Sequence, residues 1–256
     1  MMDDPTVNAL DQGQYSLNEI RKYEAIYGRN FISPGGEATA RAILSLAAFT
    51  PNMNVLDVGC GLGGAAFLIA QTYGARVHGL DLSRNMLQIA QARCQEAQLT
   101  QSVTFEHANV LHYERPATFD LIHSRDVFLH IHDKVGLFDA IRRCLRPAGL
   151  LLFSDYLCRA GPKSADFAAY IRKRGYDLRS IEEYRALLEQ ASFEVLLAQD
   201  RTTDFIALLE RELAQLEASR LDDTERATLA QSWRDKLRRA RAGEQRWGVC
   251  LARKPI

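Results

Sequence analysis

The chain has 256 residues, 47% of them hydrophobic and 25% charged, so it can bury a full core without disulfide or metal staples. Lys and Arg together number 32, as do Asp and Glu, and the zero net charge removes any global attraction to nucleic acid or an anionic membrane. The five cysteines (Cys60, Cys94, Cys144, Cys158, Cys250) are widely spaced and form no C-x-x-C pair, which argues against a zinc site or a disulfide framework and for a reducing cytoplasm.

In chain order, the opening Met1–Thr6 is acidic where a signal peptide would be basic, and no apolar run approaches the ~18 residues of a membrane span. Ser16 and Glu19 have capping-box spacing, which predicts a helix to about Tyr27 with Gly28 just past its end. The turn-rich segment Phe31–Gly36 follows, then a second helix from Glu37 to about Phe49. Strands and helices then alternate. Strands are predicted at Val55–Val58, Arg76–Leu80, Val103–Glu106, Phe119–His123 and Leu150–Ser154, and helices at Ala65–Tyr73, Ser83–Ala97 with Ser83 as N-cap, and Lys134–Leu145, the last stopped by Pro147. This is βαβ repetition, hence a mostly parallel, doubly wound sheet with its ligand at the carboxyl ends of the strands.

After Asp155 the rhythm breaks. An inserted helix, Ser164–Arg174, is closed by Gly175; a helix Ile181–Gln190 and a strand Phe193–Leu197 resume the pattern. A second insertion, Asp204–Ala242, carries apolar stripes at Phe205, Leu208, Leu209, Leu213 and Leu216 and at Leu229, Trp233 and Leu237, so its helices have faces to bury and are expected to cover the sheet as a lid. Arg246–Ala252 reads as a seventh strand. The domain reading is thus residues 1–50 as N-terminal helices closing over a ligand, and 51–256 as the α/β domain with lid insertions at about 157–180 and 204–242.

The stretch Leu56–Gly64 (LDVGCGLGG) is the chemical centre. Gly59, Gly61 and Gly63 alternate directly after the first strand, where backbone can approach a ligand and the next helix points its N-terminus at it. Asp57, two residues earlier, can receive a ligand ammonium, and Asp81 ends the second strand, where an acid accepts both ribose hydroxyls. That set describes S-adenosylmethionine (SAM) better than NAD, because a pyrophosphate-binding turn gains nothing from the negative charge of Asp57. At the third strand end Asn109 offers an amide oxygen to an adenine amino group. The spacing resembles class I SAM-dependent methyltransferases with a Rossmann-like fold. His130, His132 and Asp133 could suggest a metal, but residues two apart point together only on a strand and these lie past one, so no metal is expected.

A narrower resemblance rests on Gln14-Tyr15, Tyr27–Gly36, Ser124-Arg125-Asp126 with His130, Ser154-Asp155-Tyr156, Tyr170-x-x-x-Arg174-x-Tyr176 and Gln245-Arg246-Trp247-Gly248. Together these resemble the single-domain phosphoethanolamine N-methyltransferases, nearly end to end. The resemblance implies Tyr15 and His130 as the catalytic pair. It further implies Gln14, Tyr23, Ile32, Ser33, Leu82, Val110 and Arg125 as cofactor contacts, Asp126 facing the amine, and Tyr156, Tyr170, Tyr176, Arg174 and Lys236 holding the phosphate. Arg238, Arg239 and Arg241, near Lys236, read most simply as a solvated helix surface. The expected partner is a small amine with a phosphate or other anionic tail, with no nucleic acid, in a monomer, and the expected products are S-adenosylhomocysteine and the methylated amine. An alkylammonium resembles Lys, with pKa ~10.4, and has no lone pair at neutral pH, so a base is needed; His130, titrating near neutrality, is expected to take the proton with Tyr15 positioning it. Another amine with an anionic tail, such as aminoethylphosphonate or a glycine derivative, fits the same motifs, whereas intact Tyr15 and His130 argue against the further alternative of a SAM-binding protein without turnover.

Overall fold

The computed structural model describes residues 11–219 and 221–256; the acidic Met1–Thr6 stretch lies outside them. The elements are α1 (Leu17–Tyr27), α2 (Gly36–Leu44), β1 (Asn54–Val58), α3 (Gly64–Tyr73), β2 (Arg76–Asp81), α4 (Arg84–Glu96), β3 (Val103–His107), β4 (Phe119–Arg125), α5 (Lys134–Cys144), β5 (Leu145–Cys158), α6 (Ala165–Arg174), α7 (Ile181–Gln190), β6 (Glu194–Asp200), α8 (Thr202–Glu217), α9 (Asp223–Arg241) and β7 (Gln245–Arg253). Single 3₁₀ turns at Val110–His112 and Phe128–His130 follow β3 and β4.

The seven strands form one sheet in the order β3-β2-β1-β4-β5-β7-β6. Neighbours are parallel except β7, which runs antiparallel to β5 and β6. The order reverses between β1 and β4, so the crevice for a ligand opens at their carboxyl ends. Alternation along each strand feeds two cores. Val55, Leu121 and Leu152 face one core with α2, α3, α8 and α9, while Leu56, Ile122 and Leu151 face the other with α5 and α7. Each such side chain, sealed from water, contributes about 1.5–3 kcal/mol of transfer free energy.

Caps end the helices largely where the sequence places them. Ser16, Ser83 and Ser164 accept from the first-turn amides of Glu19, Met86 and Phe167, and Gly28 and Gly175 take positive φ at the C-terminal ends of α1 and α6. Several boundaries differ from expectation: β5 is longer than Leu150–Ser154 at both ends, β6 runs on to Asp200, and two helix ends move. Helix α2 stops at Leu44 rather than continuing to Phe49, with Ser45 Oγ turning back to donate to Ala42 O. Pro147 does not stop α5: the helix ends at Cys144 and β5 begins at once, with Pro147 in a register shift against β4 and Ala148 at φ 61°. A strand irregularity tolerates the missing N–H that a ladder would need.

The second insertion folds as the antiparallel pair α8 and α9, whose buried Phe205, Leu209, Leu216, Trp233 and Leu237 join the first core. No helix among the described residues is long and apolar enough to cross a membrane.

Candidate active site

The turn after β1 is shaped by its glycines. Gly59 and Gly61 hold φ of 71° and 52°, and a Cβ on Gly59 would lie 2.3 Å from Val127 Cγ2, so a side chain is excluded both by backbone conformation and by space. The Gly59 and Cys60 amides donate to Leu80 O at 2.7 and 2.9 Å, which pins the turn to the end of β2. There Asp81 accepts from Gly61 N and Ser83 N, both at 2.8 Å. Burial still pushes its carboxyl up, against the pull of those amides. At the end of β1, Asp57 Oδ1 lies 2.7 Å from His123 Nδ1, and Asp57 Oδ2 is buried with no partner. Asp57 lines a cavity, and a buried carboxylate oxygen without a partner is a strong demand for a donor.

That cavity has a volume of about 660 Å³ and runs from the glycine turn to the lid. The residues expected to catalyse or to hold cofactor and acceptor line it, whereas Gly63 of the glycine turn does not. Gln14, Tyr15, Ile32, Ser33, Asp57, Gly59, Gly61, Asp81, Leu82, Asn109 and Val110 gather at the turn, and Asp126, His130, Tyr156, Tyr170, Arg174, Tyr176 and Lys236 line the remainder with Tyr23 and Arg125. Some have partners within the protein. Arg125 donates to the carbonyls of Gly36 (2.8 Å), Ser33 and Pro34, so it holds the loop that leads into α2 in place. Asn109 Oδ1 already accepts from Leu111 N at 3.0 Å, leaving one lone pair. The phenol of Tyr23 is within reach of Arg174, whose charge opposes the burial that raises the phenol's pKa.

Tyr15 reaches the cavity because its segment is tied to α4. Asp11 accepts from Ser83 Oγ and Arg84 N at the N-terminus of that helix, where an acid is favoured, and Asn85 Nδ2 donates to Tyr15 O. The Tyr15 hydroxyl accepts from Gln14 Nε2 at 3.2 Å, and burial raises its pKa well above 10, so it stays a neutral phenol.

His130 is carried by the turn after β4, and Lys134 fixes that turn. The Lys134 ammonium, 2% exposed, donates to Phe128 O (2.9 Å), Ile131 O (2.5 Å) and Asp177 O (3.1 Å), and Asp177 N donates to Leu129 O. The loop bearing Tyr176 is thereby clamped to the turn bearing His130, and their rings meet edge-on at 5.2 Å. His132 and Asp133 serve the same frame, the first against Gly175 O and the second as N-cap of α5. His130 does not titrate near neutrality as its ordinary value suggests. Burial, with Arg174 and Lys134 adding to it, pushes it down to about 4, because all three disfavour the imidazolium.

Asp126 adopts φ 57° and shows one oxygen to Ser154 Oγ (2.9 Å) and Trp247 Nε1 (2.8 Å), while Oδ2 is buried without a partner. Beyond it, Arg174 Nε donates to the Tyr176 hydroxyl at 3.0 Å and Lys236 Nζ stands 4.5 Å over the Trp233 ring. Burial pushes Lys236 down to about 8. Two further residues belong here. Glu212, 3% exposed, accepts from Gly35 N at 2.6 Å and from Trp233 Nε1 at 3.0 Å, joining both lid helices to the loop that Arg125 holds. Its signal was legible, a carboxylate on the apolar stripe between Leu209 and Leu216. Arg239 is not part of a solvated surface: it lines the cavity and lies on the Tyr170 ring. His123 carried no signal, since its pairing with Asp57 depends on strand register.

Residues 55–149 match the model of a methyltransferase domain family. Over 96% of this chain and 95% of the relative, it is 33% identical to a phosphoethanolamine N-methyltransferase of Plasmodium falciparum. The chain belongs to the phosphoethanolamine N-methyltransferase family. A family member from Triticum aestivum is 40% identical over 96% of this chain but only 50% of its own length, so the chain spans about half the length of the plant relatives it matches. Among solved structures, the family member phosphoethanolamine N-methyltransferase 2 of Haemonchus contortus, in complex with phosphomonomethylethanolamine and S-adenosylhomocysteine, superposes with a TM-score of 0.93 at 32% identity, covering 99% of this chain and 61% of that one. A putative sarcosine dimethylglycine methyltransferase from Galdieria sulphuraria, 22% identical with a TM-score of 0.77, shares the fold.

Proposed function

We propose that this chain is a SAM-dependent N-methyltransferase that methylates the amine of phosphoethanolamine, and successively its methylated products to phosphocholine. The reading is carried by one observation: a single cavity is lined by the glycine turn, by Asp126, one of whose carboxylate oxygens has no partner, and by Arg174, Lys236 and a group of phenols. An acceptor with an ammonium at one end and an anion at the other matches that order of charges. The Haemonchus relative is known with such a ligand.

The cofactor end fits SAM. Asp57 Oδ2 would receive the amino group, Asp81 the ribose and Asn109 the adenine, against a backbone that no Cβ obstructs at Gly59. When bound, SAM supplies an electrophilic methyl group on a sulfonium. The chain's own residues then orient and deprotonate the amine. Asp126 Oδ2 accepts a hydrogen bond from the ammonium and so fixes the nitrogen. His130, unprotonated at neutral pH, takes the proton, and the negative charge of the phosphate beside Arg174 offsets part of what holds the imidazole pKa low. Tyr15, a neutral phenol, positions by hydrogen bonding. Arg174 offers a planar fork to the anion and Lys236 a point charge. Collinear alignment in a closed pocket supplies most of the acceleration.

The site is assembled within one chain, which supports action as a monomer on a small molecule without nucleic acid, and the five free, buried cysteines suit the cytoplasm. Incubation with SAM and phosphoethanolamine, followed by release of S-adenosylhomocysteine, tests the reading. Turnover on phosphoethanolamine is expected; turnover only on ethanolamine, glycine or aminoethylphosphonate rejects the acceptor, and tight SAM binding with no turnover on any amine rejects the enzyme.

A further inference from the structure

Five arginines lie on α9, and four have carboxylate partners: Arg226 with Asp223, Arg234 with Glu217, Arg238 with Asp235 and Arg241 with Glu210. Arg239 has none among the described residues. Its guanidinium carbon lies 3.8 Å from the centroid of the Tyr170 ring, and Tyr170 itself stacks on Phe167. Its Nε donates to Gln245 Oε1 at 2.9 Å, and Gln245 is 1% exposed on β7. The side chain is thus held at its stem and over its face, and its two terminal nitrogens have no protein acceptor among the described residues. Arg174 and Lys236, on the same cavity, likewise have no carboxylate ion-pair partner among the described residues.

Three cations around one space, none of them ion-paired, repel one another: Arg239 and Arg174 both act against the charge of Lys236, with the carboxylates of Glu212 and Asp126 acting in its favour. A carboxylate brings one negative charge and two oxygens. A phosphate or phosphonate brings three oxygens and, above a second pKa of ~6, nearly two charges. We propose that Arg239 is a specificity-determining residue of this site, the third cation of its anion end, whose two terminal nitrogens select a tetrahedral dianion over a carboxylate. The proposal rests on the reading of the cavity as a site for a small amine with an anionic tail. It also gives Arg239 a linking role, because an anion held by Arg239 on α9 and Arg174 on α6 joins the two insertions.

Calorimetric titration of inorganic phosphate, and separately of acetate, into the protein saturated with S-adenosylhomocysteine tests it in wild type and Arg239→Gln. The variant is expected to weaken phosphate about tenfold or more, as loss of a charge-assisted hydrogen bond does. Acetate binding and S-adenosylhomocysteine affinity should be nearly unchanged, and KM for phosphoethanolamine should rise by a similar factor with little change in kcat. Equal phosphate affinity in the two proteins overturns the proposal. So does a parallel loss for acetate or for S-adenosylhomocysteine, which would make Arg239 a structural support. If wild type fails to methylate phosphoethanolamine yet binds phosphate through Arg239, the acceptor reading falls and the role of Arg239 stands.

Discussion

Nδ1 of His123 lies 2.7 Å from Oδ1 of Asp57 with both side chains sealed from solvent, so the other oxygen of Asp57, a residue that lines the cavity, is the one left without a partner. With the carboxylate as acceptor, Nδ1 is the donating nitrogen, and the bond fixes the rotation of the carboxylate at the end of β1. Asp57→Asn keeps the shape and removes the charge. The expected outcome is a SAM Kd raised about tenfold to a hundredfold, the value of one hydrogen bond between charged groups, with KM for the amine little changed. Equilibrium binding of SAM checks this, and an unchanged Kd would show that Asp57 Oδ2 receives no ligand ammonium.

His130 gives a prediction with a definite sign. Burial and the positive charges of Arg174 and Lys134 all oppose the imidazolium, so in the ligand-free protein its ring should titrate with a midpoint about 4, and not near its ordinary 6.5. Inorganic phosphate beside Arg174 adds negative charge and should move the midpoint up; Arg174→Ala should do the same by removing a positive one. Nitrogen-15 NMR of the histidine rings across pH 3.5 to 8 reads the midpoint directly. A midpoint near 6.5 in the unliganded protein would contradict this placement of His130.

The order of elements was legible because most strands hold an apolar run and several helices carry a side-chain cap, Ser16, Ser83 and Ser164 among them. The glycine turn with Asp57 and Asp81 was legible for the same reason: its chemistry lies within one βαβ unit. What the residues hid is who partners whom across the chain. Lys134 looks like an ordinary first-turn lysine, yet it holds Asp177, forty-three positions away. Arg239 has the same chemistry as Arg238, and only the direction in which α9 packs sends one into the cavity and the other to Asp235. A histidine's pKa likewise follows from burial and neighbours that spacing does not disclose.

Glu212 accepts from Gly35 N and Trp233 Nε1 with one oxygen each, at a position where burial already pushes its carboxyl pKa up. Glu212→Gln leaves one acceptor oxygen and turns an NH₂ group toward one of the two donors. A buried donor left without a partner costs ~1–3 kcal/mol, so urea unfolding should show a loss of that size. Because Gly35 belongs to the loop that Arg125 also holds, SAM affinity should fall as well. Unaltered stability and SAM affinity together would remove Glu212 from the linkage between lid and cofactor loop.

Asp155 supplies a test by pH. It is fully buried on β5, accepts from the Tyr184 hydroxyl at 2.5 Å and has Oδ1 unpartnered. Burial and the neighbouring Asp126 raise its pKa from 3.8 to about 8, with the Tyr184 hydroxyl and Lys134 acting in opposition. A carboxyl whose folded pKa lies above its unfolded one binds more protons when folded. Its contribution to stability is therefore complete below pH 3.8 and is lost as pH rises toward about 8. Asp155→Asn is close in shape, can still accept from Tyr184, and has no such slope. The difference in Tm between the variant and wild type should accordingly shift in favour of the variant from pH 5 to pH 8 and then level off. A difference that is constant across that range would mean that Asp155 is ionised throughout, with Lys134 holding its charge in place.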